Sequence, residues 1–304
     1  MIELIYIVAP IFLVIFLGYV LNRSLVVSEK IWNELNKLTY WVLFPALLFN
    51  KTSVIDFDGY SVGNFSMSMM TGFIVAVVFS FFISKIYRMN GPTLSSVIQG
   101  SGRHNSFLAL AIISQLLGNE GEMIGALAVA VMVTFSNFLT IIFMISILAK
   151  ENQAKPSVIS EVFRNPFIVS IAIGLVFNFM GWRNLPILHD FSFYLGKAAL
   201  PLALICVGAG LQFVGSSKHF IPCMIACFAK MILLPLTVFI MTKYFDLVPI
   251  MATSAVIFAS VPTSSTAYAL AKYMGGDAPL MATIISLQTL LAVITIPVII
   301  LFVS

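Results

Sequence analysis

The sequence predicts an all-α, polytopic membrane protein with ten transmembrane helices in two inverted five-helix repeats, in which the fourth and ninth helices are broken and cross. Three observations lead to this prediction. The composition is 60% hydrophobic and 9% charged, against about 25% charged residues in a typical globular domain. Apolar segments of about 20 residues, the length that crosses a bilayer core, recur along the chain. The second half of the chain also repeats features of the first half.

Prolines and glycines mark the internal repeat. The matched positions are Pro10 with Pro166, Pro45 with Pro201, Pro92 with Pro249, Asn105 with Pro262, and Gly118 with Gly275. The first two pairs share one spacing, and the last three share a spacing that is one residue longer. Such regularity favours a duplicated unit. In a membrane protein, a duplicated unit is the usual scaffold of a secondary transporter.

Ten apolar segments are predicted to cross the membrane. In chain order they are 4–21, 33–51, 62–86, 94–117, 122–148, 167–181, 191–213, 220–242, 250–273 and 279–303. The polar linker 149–165 is predicted to separate the first repeat, 1–148, from the second, 166–304. Because each repeat holds an odd number of spans, the second repeat must enter the membrane from the opposite side, which gives an inverted repeat.

The distribution of lysine and arginine predicts the orientation. With both termini outside the cytoplasm, ten of these residues lie on cytoplasmic connections and four on outer connections. Cytoplasmic loops of membrane proteins carry an excess of positive charge. We therefore expect a multi-pass protein of the cell (inner) membrane, with both termini outside and the linker 149–165 in the cytoplasm.

Polar residues interrupt the fourth and ninth spans at corresponding places in the two repeats. The fourth span contains Gly100, Gly102, Arg103, His104, Asn105 and Ser106, and the ninth contains Pro262, Thr263, Ser264 and Ser265. Glycine and proline favour a break in each helix, and hydroxyl groups can satisfy the freed carbonyls. Each break exposes the positive N-terminal end of a half-helix, and two such ends that meet form an anion site. We therefore predict that Gly100, Gly102 and Pro262 break the helices, and that the substrate site consists of Arg103, His104, Asn105, Ser106, Pro262, Thr263, Ser264 and Ser265.

The charges inside the spans favour an anionic substrate. No acidic residue lies in the middle of a span, whereas Arg103 and Lys230 do. An unpaired cation at that depth costs at least about 2.5–3.5 kcal/mol, so we expect it to face a cavity or an anion. A backbone carbonyl would equally explain Lys230. Asn137 and Gln288 either line the same cavity or make hydrogen bonds between helices.

Several segments resemble the auxin efflux carrier family. They are the apolar stretch from Pro10 to Tyr19, the stretch from Tyr40 to Phe49, the sequence Arg164-Asn165-Pro166, and Asn105 within the break of the fourth span. The resemblance covers essentially the whole chain, and the short linker is similar to that of bacterial members. It implies ten helices, with a scaffold made of the first, second, sixth and seventh spans and a transport unit that contains the crossing fourth and ninth spans.

The resemblance also implies a function. Members of the family export organic anions: auxin in plants, and malate or malonate-type dicarboxylates in some bacteria. An elevator-type movement of the transport unit and homodimerisation through the scaffold helices would follow. Asn105 matches the family's crossover asparagine and Pro262 its ninth-span proline, whereas Thr263 and Ser264 depart from the amide-bearing residue of many relatives. The leading hypothesis is an efflux carrier for small organic carboxylates, with membrane lipid as its surroundings.

Two other functions stay open. A sodium-coupled organic anion symporter of the bile acid type would need an oxygen-rich cation site beside the crossover, which the oxygens of residues 260–266 could supply. A membrane ligand sensor would bind the same anions without transport. An intramembrane enzyme is disfavoured, because the chain has neither paired membrane carboxylates nor an HExxH sequence. We expect no catalytic residue, metal, cofactor or nucleic-acid partner.

Overall fold

Helices make up nearly all of the structure, a computed structural model that describes residues 2–24, 26–148, 165–183, 185–212 and 217–303. The α-helices are α1 (Ile2–Arg23), α2 (Glu29–Leu38), α3 (Phe44–Thr52), α4 (Val62–Ile86), α5 (Gly91–Gly102), α6 (Ser106–Leu148), α7 (Pro166–Phe179), α8 (Pro186–Ala209), α9 (Phe220–Phe228), α10 (Leu234–Tyr244), α11 (Pro249–Ser260), α12 (Thr266–Met274) and α13 (Ala278–Val303). Short π-helical turns join α2 to α3 and α9 to α10. These residues contain no strand, so the predicted all-α class is confirmed.

Within the part of the chain that the structure describes, six helical segments are long and apolar enough to cross a membrane. They are Tyr6–Arg23, Val62–Ile86, Gly91–Leu148, Pro186–Ala209, Phe220–Tyr244 and Ala278–Val303. The third has 58 residues, and a straight helix of that length would extend about 87 Å, far beyond a hydrocarbon layer of about 30 Å. Since it is interrupted between Gly102 and Ser106 and again at Gly118, the segment can turn back on itself. The shorter apolar helices α7 and α11 lie in the second half. Almost all of the predicted linker lies outside the described residues.

The helices pack into two groups. In the first group, which we call the first bundle, α1 packs against α8, and α3 packs against α7 and α8. In the second bundle, α4 packs against α5 and α10, and α11 packs against α10 and α13. Helix α6 packs mainly against α5 and α11, and its other contacts reach α4 in the second bundle and α1, α3, α7 and α8 in the first. The surface between the two bundles therefore runs along α6.

A positive-φ glycine and two polar contacts shape the turn in the middle of α6. Gly118 has φ 65° and ψ −152°, a conformation that costs glycine little. Beside this turn, the ammonium of Lys51 lies 2.9 Å from the carboxylate of Glu122. Tyr60 donates a hydrogen bond to Glu120, and this bond raises the pKa of Tyr60 to about 12. These contacts tie the turn to the end of α3 and to the connection after it.

Glycines allow the backbones of α1 and α8 to touch. A Cβ atom on Gly208 would overlap the carbonyl oxygen of Ile15, and a Cβ atom on Gly18 would overlap the carbonyl oxygen of Ile205. Small residues at such positions let membrane helices approach closely, where dispersion contacts are strongest. The contact between α1 and α8 therefore depends on the absence of side chains at these two positions.

Replacing Gly208 by alanine is expected to lower the stability by about 1–3 kcal/mol, because the added methyl group must push α1 away from α8. Thermal unfolding of the detergent-purified protein measures the effect. Gly210→Ala is the matched control, because its nearest neighbours are the carbonyl oxygens of Cys206 and Val207, both at 3.5 Å, an ordinary contact distance. Equal melting temperatures for the two variants would contradict the close approach of these helices.

Candidate functional site

The breaks in α5–α6 and α11–α12 have similar backbone geometry. Arg103, which follows α5, has φ −71° and ψ 152°, and Val261, which follows α11, has φ −72° and ψ 152°. The residue before a proline is driven to this extended region, which explains Val261. The break after α5 contains no proline; there, the chain leaves the helix at Arg103 and begins α6 at Ser106.

The two breaks are in direct contact. The backbone N–H of Asn105 donates a hydrogen bond to the carbonyl oxygen of Pro262, at 2.9 Å. The side-chain oxygen of Asn105 accepts a hydrogen bond from the N–H of Leu108, at 3.1 Å. This is an N-cap, which satisfies one of the free N–H groups at the start of a helix. Asn105 therefore joins the breaks through its backbone and starts α6 with its side chain.

A second connection runs through Gln288 on α13. Its side-chain oxygen accepts the backbone N–H of Thr263 at 2.9 Å, and its side-chain nitrogen donates to the carbonyl oxygen of Gly100 at 2.8 Å. The hydroxyl of Thr263 donates to that same carbonyl, also at 2.8 Å. Gln288 and Thr263 are both fully buried. These bonds hold the end of α5 against the second break.

Gly100 and Gly102 make room for neighbouring helices. Both belong to α5, and the chain leaves the helix only after Gly102. A Cβ atom on Gly100 would lie 2.8 Å from a methyl carbon of Ile284, and one on Gly102 would press into the ring of Phe73. Both positions therefore require glycine because neighbouring side chains occupy the place of a Cβ atom, and neither glycine has an unusual φ.

A cavity lies where the breaks face the first bundle. The first bundle and the chain segments next to it contribute Tyr40, Asn165 and Phe167. The second bundle and α6 contribute Arg103, His104, Ser106, Phe107, Val133, Ser136, Asn137, Ser264 and Thr266. The cavity thus combines a polar wall around the breaks with an aromatic wall formed by Tyr40, Phe107 and Phe167.

The guanidinium of Arg103 is the charged group of this cavity. Its Nη2 atom donates to the side-chain oxygen of Asn137 at 2.9 Å and to the hydroxyl of Thr266 at 3.1 Å. The side chain is 9% exposed. Among the described residues no carboxylate pairs with it; the ion pairs there are Lys37–Glu34, Lys51–Glu122 and His219–Asp277. A buried cation held in place by neutral partners keeps its charge available for an anion.

The N-terminal ends of two helices open at the same cavity. Ser106 begins α6 and Thr266 begins α12, and both line the cavity beside Arg103. The first N–H groups of a helix lack partners within it and carry a partial positive charge. Two such ends and a guanidinium therefore lie beside the same cavity.

The chain matches a known family of transporters. A family model described as "Membrane transport protein" matches residues 4–300. The chain belongs to this family. The resemblance to the auxin efflux carrier family is thereby confirmed, and the protein is a transporter rather than an enzyme.

Two curated relatives span nearly the whole transporter. A protein of Rhizobium meliloti, provisionally named a malonate transporter, is 24% identical over 310 residues, which cover 97% of this chain and 94% of the relative. An uncharacterized transporter of Methanothermobacter thermautotrophicus is 22% identical over 292 residues, which cover 95% of each chain.

His104 forms part of the cavity wall of the transporter. It is 8% exposed, and its Nδ1 atom has no hydrogen-bond partner among the described residues. The imidazole lies between the rings of Phe73 and Phe258, with centroid distances of 6.4 and 5.3 Å. A buried polar atom without a partner is costly.

The structure divides the predicted site residues into two sets. Those that line the cavity are Arg103, His104, Ser106, Ser264 and Asn137. Those that lie outside the cavity lining are Asn105, Pro262, Thr263, Ser265, Lys230 and Gln288. Most of the second set connects the broken helices to one another, and Ser265 precedes α12. Lys230 is fully buried, and its ammonium donates to the carbonyl oxygen of Ala259 at 2.9 Å.

The sequence prediction left several cavity residues out of the site, among them Thr266, Asn165 and Tyr40. Thr266 belongs to the interruption of the ninth span, where counting one residue further would have included it. Asn165 accepts the N–H of Phe167 at 2.9 Å and caps α7, so the Asn-Pro pair predicts a helix start but not a cavity. Tyr40 lies in a π-helical turn, and such turns are frequent at functional sites.

Proposed function

We propose that the protein is a secondary carrier that exports small organic carboxylates through this cavity. The observation that carries the proposal is the buried guanidinium of Arg103, which has neutral partners and lies beside two helix N-termini. Such an arrangement stabilises a bound carboxylate. The relative provisionally named for malonate is consistent with this class of substrate.

The carboxylate would bind at Arg103, with the hydroxyl groups of Ser264 and Thr266 beside it. Ser264 and Thr266 share a hydrogen bond of 2.9 Å, so their hydroxyl groups can reorient toward an anion. The carbon skeleton of the substrate would lie against Phe107 and Phe167, which face the same cavity. We include malate, malonate and indole acetate in the proposed class, because each combines a carboxylate with a small carbon skeleton.

Alternating access would follow from an inverted repeat, in which residues 1–148 form the first copy, 149–165 the linker and 166–304 the second copy. The equal lengths of α5 and α11, both 12 residues, support equivalent positions in two repeats. Gly118 and Gly275 support it too, because both have positive φ after a broken helix. We propose that the first bundle is the scaffold and the dimer contact, and that the second bundle moves past it as an elevator. Both termini would lie outside the cytoplasm of the cell membrane.

Transport by the purified protein in proteoliposomes tests this function. We expect vesicles loaded with malonate, malate or indole acetate to exchange at least one of these anions with the same radiolabelled anion outside. Empty liposomes and vesicles that contain Arg103→Ala protein are the controls. The proposal predicts labelled uptake only with the unaltered carrier and only when an exchangeable anion is inside.

Two outcomes would reject parts of the proposal. If none of the three anions moves, but one of them raises the melting temperature of the protein, the site binds anions without transport and the protein is a sensor. If no organic anion has either effect, the assignment of the cavity as a carboxylate site is wrong.

A further inference from the structure

Lys230 is a buried cation that the carboxylate site does not use. It lies in the π-helical turn between α9 and α10, and its side chain is fully buried. Its hydrogen bond goes to the carbonyl oxygen of Ala259, at 2.9 Å, and among the described residues no carboxylate pairs with it. A charge at this depth calls for an explanation beyond packing.

The partner of Lys230 is the negative end of a broken helix. Ala259 is the penultimate residue of α11, which ends at Ser260 where the chain becomes extended. The last carbonyls of a helix lack partners within it and carry a partial negative charge. In transporters with broken helices, such C-terminal ends and unwound carbonyls are the groups that coordinate a coupling cation.

The other carbonyl oxygens recorded at the crossover also accept protein donors. The carbonyl of Gly100 accepts from Thr263 and Gln288, and the carbonyl of Pro262 accepts from Asn105. A metal ion would have to displace these N–H and O–H groups in order to collect oxygen ligands. The carbonyl of Ala259 differs from them only in that its donor is itself a cation.

We propose that the ammonium of Lys230 is a built-in cation, which takes the position that a coupling sodium ion would otherwise occupy beside the break. This inference rests on the proposed transport function. Its consequence is a carrier that needs no sodium, because the negative end of α11 is already neutralised.

The test compares salts and variants at one ionic strength, with sodium, lithium or choline chloride. We expect the wild-type protein to have the same melting temperature and the same anion transport rate in all three. Lys230→Ala removes the cation and leaves space beside the carbonyl of Ala259. In choline it should lose roughly 90% of its transport, the size of a lost charge-assisted hydrogen bond. Sodium or lithium should restore part of that loss and raise the melting temperature of this variant by roughly 2–4 °C.

Two further variants separate charge from packing. Lys243→Ala removes an exposed lysine at the end of the same helical segment and should behave as the wild type does in every salt. Lys230→Met fills the space with an uncharged chain, so it should lose transport and gain no response to sodium. If Lys230→Ala fails to fold in every salt, Lys230→Arg and Lys230→Met decide the matter. If only Lys230→Arg transports the anion in choline, the result supports a fixed charge at this position. If Lys230→Arg and Lys230→Met transport it equally well, the proposed role of the charge is refuted.

The unaltered protein alone can also overturn the inference. Wild-type transport that stops when sodium is replaced by choline would show that the coupling cation comes from solution. A melting temperature of Lys230→Ala that does not distinguish sodium from choline would refute it as well, and this measurement needs no transport. A wild-type protein that moves no anion rejects the proposed function, whereas sodium-dependent transport rejects only the role of Lys230.

Discussion

Replacing Arg103 by alanine is expected to weaken the binding of a carboxylate substrate by about 10- to 100-fold, the value of one charge-assisted hydrogen bond. The guanidinium is buried, and its Nη2 atom donates to Asn137 and Thr266. Because the other described residues that line the cavity include no lysine or arginine, no other cation there can take its place. The melting temperature of the purified variant, measured at increasing anion concentration, gives the change in affinity. Initial rates in proteoliposomes give the corresponding change in transport.

Arg103→Lys distinguishes charge from geometry. Lysine keeps the positive charge but lacks the planar fork that donates to two groups at once, so we expect an affinity between those of wild type and Arg103→Ala. Arg23→Ala is the control, because it removes the same charge from an exposed position at the end of α1. Its affinity should equal that of the wild type. The site assignment is wrong if Arg103→Ala and Arg23→Ala bind the anion equally well.

The sequence predicts part of the polar side of the cavity. Arg103, His104 and Ser264 stand out because polar residues are rare within apolar spans, and such residues seldom face lipid. The aromatic side is different, since aromatic residues are common throughout membrane helices. Nothing in a single sequence distinguishes Phe107 or Phe167 from the many other phenylalanines, so only the packing of α6 against α7 shows that they share the cavity.

The helical class and the two helix breaks are the parts of the fold that the sequence predicts. The predicted break of the ninth span agrees with the structure, where α11 ends at Ser260 and Pro262, which lacks the N–H of a helix interior, follows two residues later. The break at Arg103 agrees too, although no proline enforces it. The π-helical turns that contain Tyr40 and Lys230 were not predicted, although each ends two residues before a proline, Pro45 and Pro235. For Lys230, the sequence left a cavity or a carbonyl as alternatives, and the carbonyl of Ala259 is the group that the structure places beside it.

Replacing Gln288 by leucine is expected to lower the stability by about 2–4 kcal/mol, since it leaves buried groups without partners at about 1–3 kcal/mol each. The N–H of Thr263 loses its acceptor, and the carbonyl of Gly100 keeps only the hydroxyl of Thr263. The initial transport rate should fall by more than the loss of folded protein explains, because the side chain that fixes one break against the other is gone. Thermal unfolding in detergent and initial rates in proteoliposomes measure the two effects.

Gln212→Leu is the matched control, because the side chain of Gln212 is exposed after the end of α8 and its loss should change neither quantity. If Gln288→Leu unfolds at the control temperature, the buried bonds to Gly100 and Thr263 do not hold the two breaks together. If it is less stable but transports normally, the connection stabilises the fold without positioning the cavity. Arg103 directly follows α5 and Ser264 directly follows Thr263, so any shift between the breaks moves these two side chains apart. Only a loss of both stability and transport therefore shows that the proposed substrate site depends on this contact.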